Sequence, residues 1–419
     1  MASPEPPEDP MTDADPVPAA DADPPADAEQ PLAAAAAEEA AATEELPDDE
    51  LTDEELVLAE LDPARFADLI VGYCLESDPG DQVLVRSTGL AAPLLLELQR
   101  ALLEADAWPL LRVELPGQSE GFYRHARDRH LDGVSPLQLE EARQADASLS
   151  IQAPDDTRAL TAIDPERLAR AARGRHDARE LTLQRRWSTT LWPTQALADQ
   201  AGMSLRDLAA FVRRATFLDQ RDPVRAWTAL RDFQQRLIER LEGVRELRIE
   251  APDTDLTLEV TGRTWANSDG RRNMPSGEVF TGPLESSANG TIRYSVPSSP
   301  AGVEVRDVRL TFQDGEVVDF RAAVGEDYLG RALRTDEGAR RLGEVGIGTN
   351  FGIDRAIGVI LFDEKIGGTV HTALGRSYPE TGGANVSALH WDLICDLRQG
   401  GRLWADGELL QESGRFVGF

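Results

Sequence analysis

An α/β N-terminal domain followed by an α+β, sheet-rich C-terminal domain is the fold class this sequence predicts. Two observations point to it: a strand–helix–strand unit between residues 82 and 115, and a change from helical to alternating periodicity at Glu246. A third sets the start of the chain apart. The first sixty residues hold twenty Asp and Glu, no Lys or Arg, and many Pro and Ala. Such a segment buries too little apolar surface to offset its ordering entropy, so 1–60 is read as a disordered acidic tail, with a nascent helix over Asp48–Leu61. The domains are then 61–250 and 251–419, the boundary falling within 245–260.

In the first domain, Leu61, Phe66, Leu69, Ile70 and Tyr73 recur at helical spacing. QVLVR at 82–86 is a short strand, APLLLELQRALLEADAW an amphipathic helix, and PLLRVEL at 109–115 a second strand. Strand, helix and strand within about 35 residues make a βαβ unit with a parallel pair. ASLSIQAP at 147–154 adds a strand. Asp164-Pro165 places an N-cap and an N1 proline before a helix through Arg173. Helices fill 193–242: Ser204 caps one, and Asp222-Pro223 caps a long one that ends at Gly243. Beyond Glu246, LRIEAP, DLTLEVTG, TIRYSV and VRDVRLTFQDGEVVDFRAAV alternate, with Asp314-Gly315 as a hairpin turn. RRLGEVGIGTN reads as a helix ending near Gly343 with glycines after it.

Charge and composition exclude several partner classes. Setting the tail aside leaves 55 acids against 43 basic residues, a net charge of about −12 rather than −32. No basic stripe remains, which argues against nucleic acid and anionic membranes. The chain has no run of eighteen apolar residues and no signal-peptide pattern, so a cytoplasmic protein is expected. Cys74 and Cys395 lie in apolar surroundings and read as buried, reduced thiols.

The stretch Leu361–Asp392, LFDEKIGGTVHTALGRSYPETGGANVSALHWD, carries the chemistry. It holds His371 and His390, two of five histidines, with Glu364, Tyr378, Asp392 and Lys365, the only lysine among 43 basic residues. His390 and Asp392 are two apart and so share a face of an extended segment. Imidazole and carboxylate together suit zinc, cobalt or manganese. Upstream, Glu278 in NMPSGEVF follows a Pro-Ser-Gly turn, and Glu344 is flanked by glycine-rich sequence. Taken singly, such acids are mostly solvated. His125, His130 and His176 sit among arginines and read as surface residues. In combination, Glu278, Glu344, Glu364 and Asp392 beside two neutral imidazoles would carry about −4 and raise their own pKa values unless counter-charged. Two divalent cations, zinc, cobalt, manganese or magnesium, balance that charge in a two-metal hydrolytic site.

With these residues in view, LFDEKIGGTVHTALGRSYP, SALHWD, NMPSGEVF and RRLGEVGIG together resemble the metal-dependent aminopeptidase T and aminopeptidase S family. PGDQVLVR, RWSTTLWPTQALADQAGMS and RATFLDQRDPVRAW extend the resemblance over nearly all of 61–419; the acidic tail departs from it. The resemblance implies a co-catalytic two-metal exopeptidase that removes N-terminal residues from peptides with a free amine by a bridging hydroxide. It implies Glu278, Glu344, His371, His390 and Asp392 as metal ligands, with Glu344 as the bridge. Tyr378 is implied as ligand or oxyanion stabiliser, and Glu364 as ligand, general base or neither. Lys365 or Tyr378 would stabilise the oxyanion. A homodimer, with the site in the C-terminal domain facing an enclosed cavity, is also implied. The competing readings are another two-metal peptidase, such as a dipeptidase, and a non-enzymatic metal-binding interaction protein.

Overall fold

A computed structural model describes residues 51–419; the disordered tail expected over 1–60 lies, up to residue 50, outside the described residues. Within 51–60 the chain is a helix, Asp53–Glu60, capped by Thr52 with Glu55 returning a bond to the cap. Val57 is 2% exposed in the first core, and Glu60 bonds Arg206 and Arg213 at 3.0 and 3.3 Å.

Four strands form a parallel sheet: β1 (Gln82–Thr88), β2 (Trp108–Glu114), β3 (Ala147–Gln152) and β4 (Arg186–Leu191), in the order β2-β1-β3-β4. The connection from β1 to β2 runs through the helix Ala92–Glu104, as the βαβ pattern predicts. Its buried Leu94, Leu95, Leu98, Ala101 and Leu102 recur every three to four residues. The expected caps hold: Asp164, Ser204 and Asp222 each accept a hydrogen bond from the first turn of their helices. The last of these, Pro223–Leu241, carries the chain from the first core to the second.

Thirteen strands follow, in two antiparallel sheets. One contains β5 (Glu246–Ala251), β6 (Thr254–Glu259), β9 (Asn289–Tyr294), β10 (Val308–Gln313), β11 (Glu316–Arg321), β15 (Arg402–Ala405), β16 (Glu408–Glu412) and β17 (Arg415–Phe416). Asp314 and Gly315, both at positive φ, make the β10–β11 turn. The other sheet has the order β14-β13-β12-β8-β7, from β7 (Ala266–Ser268), β8 (Glu278–Thr281), β12 (Leu342–Gly348), β13 (Thr369–Gly375) and β14 (His390–Asp396).

One expectation is corrected here. RRLGEVGIG is not the end of a helix: only a short turn of helix, Glu337–Arg340, precedes Leu342–Gly348, a fully buried central strand. Its glycines serve strand packing, which propensity alone does not anticipate.

The loop after β12 crosses back. Ile353, Ile357, Val359, Leu361, Phe362 and Ile366 pack into the first core, Phe362 meeting Phe211 at 5.7 Å between ring centroids. Glu364 and Lys365 ride on this segment, so the first core fixes their position.

Candidate metal centre

The five-stranded sheet puts its apolar residues on one face and its polar chemistry on the other. Val345, Ile347, Val370, Leu374, Leu393 and Cys395 point into the second core. The opposite face carries Glu344, Gly346 and Gly348 on β12, His371, Ala373 and Gly375 on β13, and His390 and Asp392 on β14, by the two-residue alternation of strands. Register sets the rest. Glu344 lies beside Ala373, which faces Asp392; Gly375 faces His390; Gly346 faces His371; Gly348 faces Glu278. The five expected ligands thus form a diagonal stripe, and the intervening positions are glycine or alanine. That spacing lets neighbours close in: a Cβ at Gly346 would meet the His371 ring, and one at Gly348 the Ile366 carbonyl.

Glu344 is the centre of the stripe. Its Oε1 is 3.3 Å from His371 Nε2 and its Oε2 is 3.8 Å from His390 Nε2. His371 Nε2 is also 3.5 Å from Glu278 Oε2, and His390 Nε2 is 3.5 Å from Asp392 Oδ2. Two triplets result, Glu278–Glu344–His371 and Glu344–His390–Asp392, with a third from Glu364, His371 and Asp392; within each, the potential donor atoms lie within 4.8 Å of one another.

The donor chemistry fits divalent cations. Each imidazole has its Nδ1 against a backbone carbonyl, Glu364 O at 3.1 Å for His371 and Arg376 O at 2.9 Å for His390. An Nδ1–H donating there leaves the Nε2 lone pair directed at the carboxylates, the orientation metal-binding histidines take. Glu278 Oε2 is buried and has no hydrogen-bond partner. A buried carboxylate oxygen left this way calls for a cation.

Electrostatics say the same. Burial pushes the Glu278 carboxyl up to about 7, with Lys365 opposing, and burial with the nearby Glu364 charge pushes Asp392 up to about 7. Burial would push His371 down, but its bond to Glu344 and the surrounding carboxylates lift it to about 10. Burial also opposes ionisation of Glu364, yet the Lys365 ammonium holds that carboxyl below its usual value. Protons and cations compete for one set of sites.

Lys365 is 1% exposed, with Nζ 2.7 Å from Glu278 Oε1 and in contact with Glu364 Oε1. The Tyr378 ring packs edge-on against His390, centroids 5.3 Å apart, and against Phe280. Burial raises its phenol above the usual range, so it stays protonated. A cavity of about 310 Å³ opens beside His390 and Asp392, walled by apolar Val296, Pro297, Ile360 and Ile394 and by polar Ser298, Ser299 and Asp363. The histidines set aside, His125, His130 and His176, are exposed, and Cys74 and Cys395 are buried free thiols. Sequence reasoning missed the small residues of the stripe. Their signal was present as Glu-x-Gly-x-Gly at 344–348 and His-x-Ala-x-Gly at 371–375, both with strand spacing.

A face of carboxylates and imidazoles whose potential donor atoms converge on an antiparallel sheet has the donor set of a divalent-cation site. The model of the thermophilic metalloprotease (M29) family matches residues 61–416. The chain belongs to that family, and it is a peptide hydrolase of the metal-dependent class. Among curated proteins it is 33% identical over 365 residues to "Aminopeptidase 2" of Geobacillus stearothermophilus, covering 78% of this chain and 86% of the relative. It is 31% identical over 263 residues to "Aminopeptidase T" of Thermus thermophilus, covering 57% and 64%. The solved structure of wild-type AmpT from Thermus thermophilus superposes with a TM-score of 0.75 at 25% identity, over 85% of this chain and 98% of that one. The α/β and sheet-rich fold read from the sequence is the fold of that structure. A 2,5-dihydroxypyridine dioxygenase from Pseudomonas putida KT2440, at 14% identity and a TM-score of 0.53, shares the fold alone.

Proposed function

We propose that the chain is an aminopeptidase that binds two divalent ions and removes N-terminal residues from peptides with a free amine. The observation that carries this is Glu344, one oxygen of which faces His371 while the other faces His390. One carboxylate addressed to two donor sets is the arrangement a two-ion site requires. The names of the relatives support the choice of peptide end.

Glu278, Glu344 and His371 would hold one ion, and Glu344, His390 and Asp392 the other. Zinc, cobalt, manganese and magnesium all accept this donor set. Bound there, the ions would polarise the scissile carbonyl and lower the pKa of a water to near neutrality. Glu364, held ionised by Lys365, has one oxygen engaged and the other left to accept a proton from the attacking water and return it to the leaving amine. The protonated Tyr378 hydroxyl would donate a hydrogen bond to the developing oxyanion. The cavity beside His390 and Asp392, with its mixed apolar and polar wall, would seat the side chain of the first residue.

A homodimer and a cytoplasmic location belong to the same proposal and rest on the resemblance and composition. So does the choice of peptides as partners rather than nucleic acid or membrane; among the described residues no helix is long and apolar enough to cross a membrane. Hydrolysis of paired free and N-acetylated peptides, with and without chelator, tests the reading. Equal cleavage of both peptides would favour a different peptidase, and bound metal without hydrolysis a scaffold.

A further inference from the structure

We propose, resting on the two-ion reading above, that Lys365 is a positioning residue: its ammonium clamps Glu278 and Glu364 so that the second oxygen of Glu278 faces His371. The sequence suggested a lysine that meets the oxyanion, and burial speaks against that. At 1% exposure the side chain is closed off from solvent, and its Nζ is already shared between Glu278 Oε1 at 2.7 Å and Glu364 Oε1. What the lysine leaves over is the informative atom. Glu278 Oε2 has no hydrogen-bond partner and lies 3.5 Å from His371 Nε2. A carboxylate pinned by one oxygen presents the other in one direction, which is what a ligand of fixed geometry needs.

The backbone braces the clamp from both sides. Lys365 donates its N–H to Phe362 O at 3.0 Å, and its carbonyl accepts from Asn350 N at 3.1 Å. The side-chain amide of Asn350 donates to Ser276 O at 2.8 Å, two residues before Glu278, and to Ala215 O at 3.0 Å. One asparagine therefore ties the lysine's segment to the start of β8, and both to the first core.

Residue usage makes the same point independently. Of 43 basic residues, every one except Lys365 is arginine. A chain that uses guanidinium everywhere else keeps an ammonium at the one place where a compact, three-donor point charge sits between the carboxylates of Glu278 and Glu364. An ammonium offers three rotatable donors on a point charge, whereas a guanidinium holds its donors in one rigid plane.

A clamp and a plain counter-charge predict opposite results. Removing a positive charge beside a cation site strengthens cation binding by Coulomb's law, whereas removing a group that orients a ligand weakens it. The experiment is titration of the chelator-stripped full chain with Mn2+, comparing wild type with Lys365→Met and Lys365→Arg. The clamp predicts a loss of about tenfold or more in affinity for at least one ion in both variants, the range seen when a ligand-orienting group is removed. Unchanged or tighter binding by Lys365→Met would overturn it. Because this is the only lysine, amine-selective acetylation of the native wild-type chain followed by mass spectrometry reads Lys365 without any variant, and separates a clamp from a substrate-facing lysine if the variants do not fold. The clamp predicts no labelling at 365 with or without Mn2+, and full labelling once the chain is denatured. Native labelling that a non-hydrolysable peptide blocks would assign the lysine to substrate and overturn the clamp. Failure of wild type to take up Mn2+ would count against the two-ion reading, while native labelling blocked by the peptide would still overturn the clamp.

Discussion

Gly346 and His371 face each other across β12 and β13, and a Cβ on Gly346 would stand 2.1 Å from the imidazole Cε1 and 2.2 Å from Nε2. No side chain larger than hydrogen fits there while His371 keeps its place. Gly346→Ala should displace the ring and lower peptide hydrolysis by about 10- to 100-fold, the range for loss of orientation at a metal-binding side chain. Circular dichroism should remain that of the wild type. Near-normal turnover in a folded Gly346→Ala chain would contradict the placement of His371.

Glu344 divides its two oxygens between two imidazoles. Glu344→Gln keeps the shape and removes the charge, so metal content should fall below two ions per chain and turnover by roughly 100-fold or more. Metal analysis alongside kinetics checks it; unchanged stoichiometry and rate would remove Glu344 from the bridging position.

Tyr378 keeps its phenolic proton because burial disfavours the phenolate, and its ring is held against His390 and Phe280. Tyr378→Phe preserves that packing and deletes one donor. The expected outcome is a fall in kcat of about 100-fold, typical for a single oxyanion donor, with KM and metal content little changed. A change in KM alone would make the tyrosine a binding residue.

Val57 is buried although it falls in the stretch whose composition reads as tail. Val57→Asp should destabilise the fold by about 2 kcal/mol or more, since it buries an unpaired charge. Thermal unfolding should show a lower Tm, while kcat of the folded fraction stays the same. An unchanged Tm would mean the helix Asp53–Glu60 contributes nothing.

Much of the architecture could be read from periodicity, because the βαβ unit, the capped helices and the Asp314-Gly315 hairpin each carry a local signal. Glu344 could be picked out by residue type and surroundings, but its element could not. Glycines at 343, 346 and 348 look like a helix stop until β8 and β13 are seen to approach from both sides. Composition likewise counted Asp53–Glu60 as tail, since the partners of Val57 and Glu60 lie far along the chain, at Arg206 and Arg213 for the latter. The burial of Lys365 is a long-range fact of the same kind. It depends on residues 353–366 turning back into the first core.

The measurement that bears most directly on the central claim pairs metal content with a free-amine assay on the same sample. The purified chain is analysed for bound divalent metal, then tested on a peptide and its N-acetylated twin before and after excess chelator. The account predicts two ions per chain, cleavage of the free peptide alone, and loss of that cleavage on chelation with recovery when metal is restored. Metal return should also raise the Tm, by mass action on the folded state. Hydrolysis that persists in excess chelator, or equal cleavage of the acetylated peptide, would contradict it.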